Sequence, residues 1–120
     1  MSDAIKNAFL VYRPVLDYEE SEEAHLIALS EETAKRIVAE VQKHAEELCA
    51  KLKPVDSEML DKEYFRRSKH NDRVLSNAVY PYGIDYHYDL EQGRDGREWS
   101  AKSKFITYRP LPLIEEGGQG

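Results

Sequence analysis

One cysteine stands in the 120 residues. Cys49 therefore has no intrachain disulfide partner, and no cysteine-built metal cluster is available. No run approaches the roughly 20 apolar residues of a membrane-spanning helix. The opening stretch MSDAIKNAFL lacks a basic start followed by an apolar core, so no secretory signal is expected. Also absent are a glycine-rich phosphate loop, a GxGxxG turn between strand and helix, a His-Glu-x-x-His helix, and a serine or cysteine in a recognisable nucleophile setting. Without them we expect no catalytic residue and no cofactor. Positive charge is outnumbered: 17 Lys and Arg against 23 Asp and Glu leave a net charge of −6. That balance disfavours nucleic acid and anionic membranes as partners. It suits a cytoplasmic protein, or one whose partner is another protein with a basic surface.

What is present is patterned. With 41% hydrophobic and 33% charged residues, the composition is that of a folded chain. Residues 1–120 are read as a single domain, with 1–7 and 115–120 expected to be flexible. AFLVYRPVLDY (8–18) and HLIALS (25–30) are rich in strand-forming residues, and the acidic stretch between them suggests a hairpin, with a parallel arrangement as the alternative. Pro14 lacks a backbone donor, which places that strand at an edge or a bulge.

A helix follows from Glu31 to about Lys53. Ser30 is its cap, Glu31 and Glu32 oppose the dipole, and Pro54 stops it. Ala34, Ile37, Val38, Val41, Ala45, Leu48 and Leu52 recur at spacings of three and four, giving one apolar stripe. Cys49 joins that stripe as a small hydrophobe. A shorter helix is expected from about Ser57 to Lys69, with SKHND (68–72) as a turn.

The last third reads as β. RVLSNAVYPY (73–82), GIDYHYDL (83–90) and EWSAKSKFITYRP (98–110) are candidate strands, with EQGRDGR as a hairpin loop. A register in which paired residue numbers sum to 189 sets Leu90 against Trp99, Asp85 against Lys104 and His87 against Lys102. The expected fold class is α+β, in ββααβββ order. A mostly antiparallel sheet of four to five strands would carry one long and one short helix on one face.

Four stretches are candidate sites. Tyr80, Tyr82, Tyr86 and Tyr88 crowd into nine positions; tyrosines serve cores and also contact surfaces, and beside Pro81 and Gly83 the exposed pair is expected to be Tyr80 and Tyr82. Glu19, Glu20, Glu22 and Glu23 form an acidic run, either a solvated loop or a surface for a basic partner. Asp85, His87 and Asp89 alternate along one expected strand, either as its wet side or as metal ligands. Arg66, Arg67, Lys69 and Arg73 make a basic stretch, either a solvated helix face or a set of phosphate contacts.

The first expectation is a small acidic binding protein acting by protein–protein contact, an inhibitor or accessory factor of the kind phages and mobile elements encode. The acidic run and the tyrosines would be its binding residues. The alternatives are a metal-assisted hydrolytic site at Asp85, His87 and Asp89, a nucleic-acid binder through the 62–73 stretch, and a structural component of an assembly. Homo-oligomerisation is left open.

Overall fold

The computed structural model describes residues 7–14, 22–94 and 96–112. Its elements are strands β1 (Asn7–Arg13) and β2 (Glu23–Ala28), helices α1 (Glu31–Lys51) and α2 (Asp61–Ser76), and strands β3 (Leu90–Gln92), β4 (Trp99–Ala101) and β5 (Thr107–Pro112), with two short 3₁₀ turns at Pro81–Gly83 and His87–Asp89. This is an α+β fold in the expected order. The strands are divided between two antiparallel sheets, β2-β1-β5 and β3-β4. No helix among the described residues is long and apolar enough to cross a membrane.

The chain forms two compact units. One comprises the residues up to Ala39 together with those from Ile106 onward, and the other runs from Glu40 to Phe105.

In the first unit, β1 and β2 pair as the expected hairpin, with a bulge between Val11 and Tyr12. β1 is the central strand and Pro14 falls just beyond its end, where its missing N–H costs the ladder nothing. The prolines at 110 and 112 fall in β5, an edge strand. Ala8, Leu10, Val11, Ala28, Ala34, Ile37 and Ile106 are buried here. The start of α1 is capped as anticipated: the Thr33 amide donates to Ser30 Oγ at 3.1 Å.

In the second unit, Val41, Ala45, Leu48, Cys49 and Leu52 continue the apolar stripe into a core shared with Ile84, Tyr86, Leu90 and Phe105. After α1 the segment Lys53–Val55 lies outside any regular element, yet its backbone is held by four side chains. Asn71 bonds both backbone groups of Lys53, and Trp99 donates its indole N–H to the Lys53 carbonyl. Arg67 donates to the Pro54 carbonyl, and Gln92 bonds both backbone groups of Val55. Backbone polar groups must find partners somewhere, and here long-range side chains supply them.

Four expectations are corrected. The short helix begins at Asp61 and continues through SKHND to Ser76, because Asn71 is a buried helix residue bonded to Lys53 rather than a turn residue. GIDYHYDL is not a strand: Tyr82 takes φ 58 and Gly83 φ 71, and both His87 N–H and the His87 ring bond Asp85 Oδ1, a local side-chain turn that competes with extended pairing. The third expected strand is split into β4 and β5 by a turn in which Lys104 adopts φ 57. The β3–β4 register sums to 191: Leu90 pairs with Ala101, Glu91 with Ser100 and Gln92 with Trp99.

Candidate functional site

The segment 79–90 is laid down by two tight turns in place of a strand, so its tyrosines do not share a face. Tyr86 is 1% exposed and forms the floor. Its ring meets Tyr80 edge-on at 4.8 Å, His44 at 5.8 Å and Phe105 at 5.3 Å. Its hydroxyl hydrogen-bonds His44 Nδ1. Burial, with Tyr80 next, pushes the Tyr86 phenol far above its ordinary range. Tyr80 is also tucked in: its hydroxyl is buried without a hydrogen-bond partner among the described residues, and burial and the Asp85 charge raise it too. Tyr80 is therefore not one of the exposed pair. The outward tyrosines are Tyr82 (45% exposed) and Tyr88 (81% exposed), with Val79 beside them in sequence at 84%. Tyr82 donates to Glu40 Oε2 at 2.7 Å.

Asp85 and His87 do come together. The His87 ring nitrogen Nδ1 lies 2.7 Å from Asp85 Oδ1, and the imidazole lies against Tyr88 with ring centroids 3.8 Å apart and the planes tilted by 39°. Burial alone would raise the Asp85 carboxyl, but bonds from the His87 ring and amide hold it below the usual carboxylate range. Asp89 is separated from this pair in character: it is 2% exposed, its amide bonds the Tyr86 carbonyl, and its carbonyl receives the Lys102 amide. Lys102 thus meets Asp89 through the backbone, and the expected Asp85–Lys104 and His87–Lys102 pairs do not form. Among the described residues no group of three or more His, Cys, Asp or Glu is arranged to hold a metal ion. The Asp85–His87 pair shares a groove of about 460 Å³ with Ser76 and Asp72. The Ser76 hydroxyl there donates to the Arg73 carbonyl at 3.3 Å.

The basic stretch is largely occupied within α2. Glu63 pairs with both Arg66 and Arg67, and Lys69 sits over the Phe65 ring at 5.4 Å. The bonds from Arg67, with those from Arg66, hold the Glu63 carboxyl below its usual value. Of the acidic run, Glu19 and Glu20 lie outside the described residues. Glu22 pairs with Arg109 at 2.9 Å, and Glu23 is an exposed residue of β2. Cys49 is buried, and desolvation with the Glu46 charge pushes its thiol up, the reverse of what a nucleophile needs.

A concavity of about 780 Å³ is lined by Gln42, Glu46 and Cys49 of α1 and by Glu98 through Lys102. Sequence reasoning did not find it, because its walls come from segments some fifty positions apart. Set against protein-family models, curated proteins and solved structures, the chain matches none of them.

Proposed function

We propose that this is a small acidic binding protein of the cytoplasm that acts by protein–protein contact, as an inhibitor or accessory factor of the kind phages and mobile elements encode, with Tyr82, Tyr88 and Val79 as contact residues. One observation carries the reading. Tyr88 is 81% exposed yet its neighbour is fixed, because its ring lies against an imidazole that Asp85 holds in place. An exposed aromatic beside a rigid support offers area at low entropic cost, which is what binding hot spots supply. The burial of Tyr86 and Tyr80 against His44 and Phe105 gives the segment its fixed base. The net charge of −6 favours a partner with a basic surface.

Affinity capture from the native host tests this. The bait is the whole chain, compared with Tyr82→Ala, Tyr88→Ala and a Glu58→Ala control. A partner retained by the control and weakened about ten-fold or more by Tyr88→Ala is the expected result. A specific partner held equally by all four proteins would overturn the assignment of these residues.

A further inference from the structure

Among the described residues the β3–β4 sheet has only two strands, so each of them has an outer edge. Its hydrogen-bond parity shows which backbone groups remain for another strand. The Lys102 amide bonds the Asp89 carbonyl and the Gly93 amide bonds the Glu98 carbonyl, so residues 98, 100 and 102 turn their polar groups toward β3. Trp99 and Ala101 must then turn theirs the other way. Among the described residues, neither their N–H nor their C=O groups enter a hydrogen bond. This outer edge lies along the 780 Å³ groove, which Glu98 through Lys102 line without a break.

We infer that a second copy of this chain pairs with this edge, β4 to β4 in antiparallel, making a four-stranded sheet across a two-fold axis at Ser100. The sequence Glu98-Trp99-Ser100-Ala101-Lys102 is self-complementary in that register. Trp99 and Ala101 exchange backbone bonds with Ala101 and Trp99 of the other copy, and each Trp99 side chain lies against an alanine. Glu98 falls opposite Lys102, twice, in the close non-hydrogen-bonded positions where opposite charges stabilise a sheet and like charges oppose it. An isologous contact of this kind needs one patch that complements itself. The groove beside β4 leaves room for the incoming strand.

Sedimentation equilibrium across a wide concentration range, with amide hydrogen exchange, tests the pairing. The wild-type chain should dimerise, with the Trp99 and Ala101 amides slowing in exchange as the dimer fills. Glu98→Lys and Lys102→Glu should each weaken the dimer about ten-fold, since either one sets like charges opposite each other twice. The double swap, Glu98→Lys with Lys102→Glu, should restore it. Ala101→Pro removes an edge donor and should abolish the dimer; should that variant fail to fold, the charge swap decides alone. A chain that stays monomeric throughout, a dimer indifferent to both reversals, or single-variant losses that the double swap does not rescue would each overturn the inference. So would a monomer whose β4 edge is protected only by a foreign peptide.

Discussion

The Asn71 carboxamide accepts a hydrogen bond from the Lys53 amide at 2.8 Å and donates one to the carbonyl of the same residue at 2.9 Å. One buried helix side chain thus does for a loop residue what a neighbouring strand would do. Gln92 repeats the arrangement on Val55, at 2.9 and 2.7 Å.

Removing either carboxamide should therefore cost more than its exposure suggests. Asn71→Ala leaves the Lys53 amide without its partner, and urea unfolding should show a loss of about 1–3 kcal/mol. Asn71→Asp keeps the acceptor but sets a buried charge against the Lys53 carbonyl, so its loss should be the larger of the two. Gln92→Ala should fall in the same range as Asn71→Ala.

The raised phenols of Tyr86 and Tyr80 make stability fall at high pH. The folded state holds both rings neutral, so their contribution is complete below the unfolded value of about 10. Above it, ionisation favours the unfolded chain, and the contribution drains away as pH climbs toward the folded values. Thermal unfolding should stay level up to about pH 10 and decline beyond it. Tyr86→Phe should make that decline shallower, at a neutral-pH cost of about 1 kcal/mol for the lost bond to His44.

Asp85 works at the other end of the scale. Its carboxyl is lowered in the fold, so its contribution is present above the unfolded value and is lost as pH drops through the folded one. The side chain is 57% exposed, which keeps the stability effect small. The titration itself is the better readout: by NMR, Asp85 should titrate below 3.8, and His87→Ala should move it up. An unchanged titration in that variant would show that the ring bond does not set it.

At the start of α1, Ser30→Ala removes the acceptor of the Thr33 amide and should lower stability by about 1 kcal/mol in thermal unfolding. Ser30→Asp should keep the cap, because a carboxylate accepts the same bond and opposes the helix dipole.

Local signals carried far in this chain. The first hairpin and α1 were legible because their patterns are short-range: a strand pair closed by its own loop, and a stripe that Ser30 opens and Pro54 closes. The α+β class followed from them. The segment 79–90 was misread because period-two tyrosines resemble a strand, whereas Tyr82 sits in left-handed backbone and Asp85 captures the amide two residues on. The continuation of α2 was missed because SKHND is polar throughout, and what holds Asn71 there is a residue 18 positions away. The β3–β4 register was two residues off. Slipping by two preserves which side chains share a face, so facial patterning had no power to distinguish 189 from 191. Of the candidate site, the region was legible; which tyrosines it shows to a partner depended on turns whose geometry composition does not specify.

Trp99 is the chain's single tryptophan, and its indole is bonded to the Lys53 carbonyl at 3.1 Å. Selective excitation of that ring lights the unit from Glu40 to Phe105 and leaves the three-stranded sheet dark. The protein thus carries a built-in reporter for one of its two halves. Fluorescence and circular dichroism recorded on the same sample will tell whether the halves melt as one or in turn, with no label introduced.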